Sequence, residues 1–135
     1  MDAETLQSTG EMLMIVDDEP LMTELFEKFM TRRGFQVLTA ASGAEALRTI
    51  EREGESIRLV LTDMTMPEMD GLTLARELGR RMPALPVVLA TGHDADMETT
   101  AAVPNVVAVV RKPYQNRVLA EQIRDILNRH RRSGD

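Results

Sequence analysis

The sequence predicts an α/β protein built on a five-stranded parallel sheet with helices on both faces. Short apolar runs alternate with longer amphipathic stretches, and this strand–helix alternation occurs five times along the chain. Such alternation is typical of parallel sheets joined by right-handed crossovers, and a doubly wound (βα)5 chain fits the strand order 2-1-3-4-5. A chain of 135 residues corresponds to one domain, since domains usually contain about 100–150 residues.

The first strand and helix are marked by an apolar run and by two helix-boundary residues. Residues 12–16 are continuously apolar, as expected of a strand that is buried on both faces. Pro20 begins a helical pattern and Gly34 ends it, because glycine favours the left-handed conformation found after many helices. The apolar face of this helix is predicted from Leu21, Leu25, Phe29 and Met30.

The next elements follow from a second apolar run, a capping box and a third apolar run. Residues 35–40 predict a strand. Ser42 and Glu45 have the spacing of a capping box, in which each side chain accepts a backbone N–H at the start of a helix. Residues 59–62 predict the third strand.

The second half of the chain completes the alternation. Residues 72–82 predict a helix that prolines end, and residues 87–90 predict the fourth strand. Residues 97–102 predict a short helix of low intrinsic stability, because it contains adjacent threonines and little apolar surface. Residues 106–110 predict the fifth strand. The buried stripe of the last helix is predicted from Val118, Leu119, Ile123, Ile126 and Leu127.

Composition and charge exclude several classes of function. The chain has no cysteine, which excludes disulfides, thiolate metal sites and cysteine nucleophiles. A net charge of −6 and few aromatic residues argue against direct binding of nucleic acid. The basic cluster at residues 129–132 suits the end of a helix, where positive charge is favourable.

The domain organisation is predicted as a polar N-terminal tail (1–11), one folded domain (12–129) and a C-terminal tail (130–135). No apolar stretch approaches the roughly 20 residues that a membrane span needs. The first residues have neither the basic start nor the apolar core of a secretory signal. We therefore expect a cytoplasmic protein with no membrane association.

Polar side chains follow four of the predicted strands. Asp17 and Asp18 follow the first strand, Asp63 the third, Thr91 the fourth and Lys112 the fifth. Because the carboxyl ends of parallel strands meet at one edge, these side chains are predicted to converge there. Clustered carboxylates repel one another unless a cation neutralises them, and Mg²⁺ prefers oxygen ligands. Asp63 is the best candidate nucleophile because it follows the central strand.

At these positions the sequence closely resembles the receiver domain of two-component response regulators, a CheY-like superfamily with a flavodoxin-like fold. The resemblance covers residues 12–127, nearly the whole chain. It rests on four motifs in the family's order, which are Ile15-Val16-Asp17-Asp18-Glu19-Pro20, Leu61-Thr62-Asp63-Met64-Thr65-Met66-Pro67-Glu68-Met69-Asp70-Gly71, Ala90-Thr91-Gly92 and Lys112-Pro113.

The resemblance implies a phosphoacceptor and a metal site. Asp63 would accept a phosphoryl group from a histidine kinase or a histidine phosphotransfer protein. Asp18, Asp63 and the backbone carbonyl of Thr65 would bind Mg²⁺ (or Mn²⁺) directly, and Asp17 would bind it mainly through water. The domain would act in signalling rather than as an enzyme on an external substrate, since it would catalyse only its own phosphorylation and dephosphorylation.

The resemblance also implies a switch. Thr91 would donate a hydrogen bond to one phosphoryl oxygen, and Lys112 would pair with another. The Lys112–Pro113 peptide bond would be cis, which would direct the lysine into the site. Gly71 would end the loop after the phosphoacceptor, and Gly92 would keep the phosphoryl pocket open. Movement of Thr91 would then change the face formed by the helix at 97–102, the fifth strand and the last helix. This face would bind an unidentified effector.

Four positions depart from the family's common pattern or tune it. Val109 occupies a position that often holds Tyr or Phe, so a switch based on a swinging ring cannot operate there; we interpret Tyr114 as packing at the start of the last helix. Asn105 stands near a turn that often contains glycine, which asparagine can replace by adopting a left-handed conformation. The resemblance implies that His93 and Thr65 flank the path of an attacking water and tune phosphoryl lifetime; the alternative for His93 is that it is simply exposed. The helix at 97–102 is predicted to be the most mobile element.

Three other functions are weighed against this one. A haloacid-dehalogenase-type phosphatase would need an acid two residues after the nucleophile, where this chain has Thr65. A flavodoxin-like cofactor site would need a phosphate-binding loop after the first strand, where the chain has Asp17 and Asp18. A degenerate receiver that serves only for protein interaction would not need the intact set of acids, Thr91 and Lys112.

Overall fold

The computed structural model describes residues 10–92 and 102–130. In these ranges the elements are β1 (Met12–Val16), α1 (Pro20–Arg32), β2 (Gln36–Ala40), α2 (Gly43–Glu53), β3 (Ile57–Asp63), α3 (Gly71–Arg81), β4 (Val87–Thr91), β5 (Val106–Arg111) and α4 (Asn116–Arg129). A short 3₁₀ turn, Gly54–Ser56, precedes β3. The helix predicted at 97–102 lies outside the described residues, except for Ala102.

The five strands form one sheet in the order β2-β1-β3-β4-β5, and all four pairings are parallel. This confirms the predicted fold class and strand order. β3 lies at the centre, where Leu61 is opposite Ile15 of β1 and Val88 of β4. Asp63, the last residue of β3, is therefore flanked by the ends of two neighbouring strands.

Two apolar layers cover the two faces of the sheet. On one face α2 and α3 pack through residues such as Ile50 and Leu78. On the other face α1 and α4 pack through residues such as Phe26 and Ile123. Consecutive residues of β1 alternate between the two layers, which explains why this strand is apolar at every position. Within the described ranges no helix is both long and apolar enough to cross a membrane.

The helix ends follow the capping chemistry of the sequence. The Ser42 hydroxyl accepts the Glu45 N–H at 3.1 Å, and the Glu45 carboxylate accepts the Ala41 N–H at 3.1 Å. This arrangement is a capping box displaced by one residue on its carboxylate side. α1 ends at Arg32, and Gly34 just beyond it has the left-handed conformation predicted there, with a φ of +92°.

The predicted buried faces of α1 and α4 were partly wrong. In α1 the buried residues are Phe26 and Met30, whereas Leu21 and Leu25 are 65% and 50% exposed. In α4 Val118 is also exposed, although the rest of the predicted stripe is buried. The physical reason is that each helix carries apolar residues around more of its circumference than the single stripe that reaches the sheet.

Asn105 does not adopt the left-handed conformation expected for it. Among the described non-glycine residues, positive φ occurs only at Glu68. Asn105 is instead buried, and its side-chain amide donates a hydrogen bond to the Ala75 carbonyl at 2.9 Å. The position therefore needs the amide group of asparagine rather than its conformational tolerance.

Candidate functional site

The residues that follow the strands meet at the carboxyl edge of the sheet. Asp17 comes directly after β1, Asp63 and Thr91 are the last residues of β3 and β4, and Lys112 comes directly after β5. The Lys112 N–H donates to the Thr91 carbonyl at 2.8 Å, which fixes the ends of β4 and β5 side by side. Asp17, Asp63 and Thr91 are all buried.

Three carboxylates form the centre of this site. Oxygens of Asp17, Asp18 and Asp63 all lie within 4.8 Å of one another. Asp17 and Asp63 are only 3% and 8% exposed, whereas Asp18 is exposed. Buried carboxylates at this separation repel one another strongly, so the cluster needs positive charge nearby.

Lys112 supplies one positive charge to the cluster. Its Nζ lies 3.2 Å from Asp17 Oδ2 and 3.2 Å from Asp63 Oδ2. Burial by itself would lower the pKa of Lys112, but Asp17 and Asp63 outweigh this effect and raise the pKa above its usual value. The ammonium is therefore charged at neutral pH. It supplies a single positive charge beside a cluster of three carboxylates.

Backbone groups hold the two buried carboxylates in place. The Glu19 N–H donates to Asp17 Oδ1 at 2.9 Å, and the Thr65 N–H donates to Asp63 Oδ1 at 3.3 Å. Each carboxylate thus uses one oxygen for the backbone and the other for Lys112. The Lys112–Pro113 peptide bond is cis.

Comparisons with known proteins agree with this geometry. Residues 13–124 match the family described as the response regulator receiver domain. This chain belongs to the receiver domain family. It is a domain of two-component signalling, and its fold is that of a CheY-like receiver domain of known structure.

Individual relatives support the same assignment. The chain is 37% identical over 116 residues to the transcriptional regulatory protein GlrR of Escherichia coli (strain K12), which covers 85% of this chain and 26% of that regulator. A receiver domain structure from Clostridium thermocellum is 31% identical, with a TM-score of 0.80 over 87% of this chain and 94% of that one. A CheY-like receiver domain structure from Methanospirillum hungatei JF-1 is 27% identical, with a TM-score of 0.82 over 92% and 98% of the two chains.

Val109 and Tyr114, two positions discussed in the sequence analysis, are both partly buried. Val109 is half-buried and packs against the layer of α2 and α3. Tyr114 packs against the layer of α1 and α4, where burial raises the pKa of its hydroxyl and Lys112 opposes that rise. His93 lies outside the described residues, and Thr65 is exposed.

The loop that follows Asp63 contains strained backbone that no sequence pattern predicted. Glu68 has a φ of +69°, and the Met69 N–H donates to the Pro67 carbonyl at 2.7 Å, so the three residues form a γ-turn. A non-glycine residue in this conformation costs about 1–3 kcal/mol. No local sequence signal marks the turn, since glutamate is not a residue that favours positive φ.

We expect Glu68→Gly to stabilise the receiver domain by about 1 kcal/mol. Glycine removes the strain of the positive φ, and this gain exceeds the greater entropy that glycine gives to the unfolded chain. The free energy of unfolding in urea measures the change. Glu55→Gly is the matched control, because Glu55 is also exposed but lacks a positive φ; a loss of stability in Glu68→Gly as large as that in the control would contradict the prediction.

Proposed function

We propose that this receiver domain accepts a phosphoryl group on Asp63 from the phosphohistidine of a histidine kinase or a histidine phosphotransfer protein. The observation that carries the proposal is the cluster in which Lys112 Nζ lies 3.2 Å from both Asp17 and Asp63 and in which the Asp18 carboxylate is also within 4.8 Å of the other two. Asp63 is at the centre of the sheet edge, where neighbouring residues reach it from both sides.

The donor set fits a hard divalent cation. Its members are carboxylate oxygens, which Mg²⁺ and Mn²⁺ prefer, and two of the three carboxylates are buried. We propose that Asp18, Asp63 and the Thr65 carbonyl bind the ion directly and that Asp17 binds it through water. When bound, the cation supplies the positive charge that offsets the carboxylates and the incoming phosphoryl group.

The transfer needs one bond to form and one to break. A carboxylate oxygen of Asp63 attacks phosphorus, and the bond between phosphorus and the donor's histidine nitrogen breaks, which leaves an acyl phosphate and a free imidazole. Lys112 is placed to pair with a phosphoryl oxygen, because it already contacts the Asp63 carboxylate. Thr91 is proposed to donate its hydroxyl hydrogen to another phosphoryl oxygen.

Hydrolysis of the acyl phosphate would return the domain to its resting state. Thr65 follows Asp63 by two residues and is exposed beside it, so we propose that its side chain, together with His93, sets the rate at which water reaches phosphorus. The domain acts on itself rather than on an external substrate, and phosphorylation shifts it toward a form that a downstream effector protein binds. The affected face would include β5 and α4.

The proposal is tested by NMR with Mg²⁺ and beryllofluoride, which mimics the acyl phosphate. We expect amide shifts in the wild type that need both reagents and that spread from Asp63 to Thr91 and Lys112. Asp63→Asn, which keeps the shape of the side chain but removes its charge, should show none of the beryllofluoride shifts.

Two outcomes would contradict the proposal. Equal shifts in the wild type and Asp63→Asn would place the binding elsewhere. No response of the wild type to either reagent would favour a degenerate receiver that binds its partners without phosphorylation.

A further inference from the structure

The sequence of β5 does not by itself specify how the strand aligns with its neighbour. β5 reads Val-Val-Ala-Val-Val-Arg, and it is the edge strand that pairs with β4. Only Val110 is buried, and the other apolar residues are half-buried on both faces. A slip that brings Val109 to the place of Val110 would exchange one small apolar side chain for another, so hydrophobic burial resists a slip in that direction weakly.

The observed alignment includes one extra residue at the start of β5. Val87 is opposite Val106, but Val88 is opposite Ala108. Val107 and Ala108 are consecutive and yet both pack against the layer of α1 and α4, as expected at a β-bulge. Because strand side chains alternate between faces, this extra residue decides which face each later residue occupies.

The position of Lys112 depends on that alignment. Beyond the bulge, Arg111 is opposite Thr91, and the Lys112 N–H donates to the Thr91 carbonyl at 2.8 Å. A shift of one residue would replace Lys112 at this place with Arg111 or Pro113. The ion pairs of Lys112 with Asp17 and Asp63 fix the C-terminal end of β5.

Asn105 fixes the N-terminal end of β5, directly before the bulge. It is 6% exposed, and its Nδ2 donates to the Ala75 carbonyl of α3 at 2.9 Å. Its own carbonyl accepts the Val87 N–H of β4 at 2.8 Å. One residue thus ties the entrance of β5 both to the neighbouring strand and to a helix.

Gly79 of α3 leaves the space that the Asn105 side chain occupies. A Cβ atom at Gly79 would lie 2.9 Å from Asn105 Oδ1 and 3.1 Å from its Cγ. Glycine is unfavourable inside a helix, so its presence here is explained by the close contact with Asn105. α3 itself begins right after the loop that follows Asp63, where the Gly71 N–H donates to the Met64 carbonyl.

We propose that Asn105 is a positioning residue that sets the register of β5 and thereby places Lys112 at the acidic cluster. The importance of that placement for phosphoryl transfer rests on the proposed function. The register itself does not, because it concerns the unphosphorylated domain.

The test uses Asn105→Ala in the complete chain, studied by NMR at low temperature. We expect the Lys112 amide to exchange with solvent at least tenfold faster than in the wild type, relative to the Leu61 amide in the central strand. We also expect the cross-strand contacts between Leu89 and Val109 to weaken. With Mg²⁺ and acetyl phosphate as the phosphodonor, phosphorylation of Asp63 should be at least tenfold slower.

Thr49→Val is the matched control for the loss of a buried hydrogen bond. Thr49 is buried in α2, and its hydroxyl donates to the Glu45 carbonyl at 3.0 Å. α2 contacts β2, which lies at the opposite edge of the sheet from β5. This variant should keep Lys112 exchange, the cross-strand contacts and the phosphorylation rate within twofold of the wild type.

Gly79→Ala tests the same contact from the helix side if Asn105→Ala proves unstable. Alanine favours the helix but pushes against the Asn105 amide, so the two effects on stability oppose each other. The register effects should nevertheless match those of Asn105→Ala.

The outcomes separate the register from the proposed function. Unchanged Lys112 exchange and cross-strand contacts in Asn105→Ala would overturn the inference. A changed register with a wild-type rate of Asp63 phosphorylation would overturn the claim that this register positions Lys112 for phosphoryl transfer. If acetyl phosphate did not phosphorylate the wild type, that result would count against the proposed function, and the NMR data would still decide the register.

Discussion

Replacing Lys112 with methionine should slow phosphorylation of Asp63 by about a hundredfold or more. Methionine keeps most of the apolar stem and removes the ammonium, whose Nζ lies 3.2 Å from Asp63 Oδ2. Loss of one preorganised group that stabilises developing negative charge commonly costs about 10²–10³ in rate. The rate of acyl phosphate formation with acetyl phosphate and saturating Mg²⁺ measures the effect.

The same substitution should strengthen Mg²⁺ binding. Lys112 contacts two of the three carboxylates, and without it the cluster has no partner cation among the described residues. A divalent cation then enters a more negative site and no longer competes with the ammonium. We expect the dissociation constant for Mg²⁺, measured by titration calorimetry, to fall about tenfold, which corresponds to about 1.4 kcal/mol.

The pH dependence of stability gives a further check on the ion pairs of Lys112 with Asp17 and Asp63. Because the pKa of Lys112 is raised in the folded state, its contribution is fully present below the ordinary lysine pKa of 10.5 and is lost as pH rises through the higher folded value. Without Mg²⁺, the wild type should therefore be more stable than Lys112→Met at pH 7, and the difference should shrink only in strongly alkaline solution.

Lys28→Met is the matched control for these measurements. Lys28 pairs with Glu24 at 3.0 Å on α1, where both side chains are more than half exposed. Such a pair contributes little, so phosphorylation, Mg²⁺ affinity and stability should stay near those of the wild type. A Lys112→Met variant with slower phosphorylation but weaker Mg²⁺ binding would show that the lysine orders the carboxylates rather than competing for them.

The fold was predictable because its signals are local and repeated. Each strand of the sheet contains a short apolar run, and residues such as Gly34 and Ser42 mark helix boundaries by their own chemistry. Parallel topology follows from the alternation alone. The meeting of Asp17, Asp63 and Lys112 then follows from topology, because carboxyl ends of parallel strands share an edge.

The errors arose where long-range packing decides the outcome. Leu21 and Leu25 have helical spacing, but Phe26 and Met30 lie on the stripe that reaches the sheet. The partner of Asn105 is a carbonyl 30 residues earlier in the chain. Periodicity shows that a helix has an apolar face, whereas packing against the sheet decides which of two neighbouring faces is buried.

Gly71→Ala should be the most destabilising exchange of a glycine for alanine near the site. Gly71 does not have a positive φ, so its requirement is for space. A Cβ atom would lie 2.3 Å from the Asp63 carbonyl oxygen and 3.0 Å from both the Asp63 carbonyl carbon and Met64 Cα. All three atoms belong to the backbone, so no side chain can rotate away and the end of β3 must shift.

We expect this shift to lower the free energy of unfolding by about 2–4 kcal/mol, since overpacking against a rigid backbone usually costs about 1–3 kcal/mol and the buried site is disturbed as well. Gly92→Ala is the control, because a Cβ there meets no described atom within 4 Å. Urea unfolding of both variants, with Mg²⁺ and without it, measures the effect. Since Asp63 carries both the strained contact and the proposed metal ligand, Gly71→Ala should also weaken the stabilisation by Mg²⁺. If Mg²⁺ stabilised Gly71→Ala as much as the wild type, the backbone shift would not reach the carboxylate, and the role of Gly71 would be limited to the start of α3.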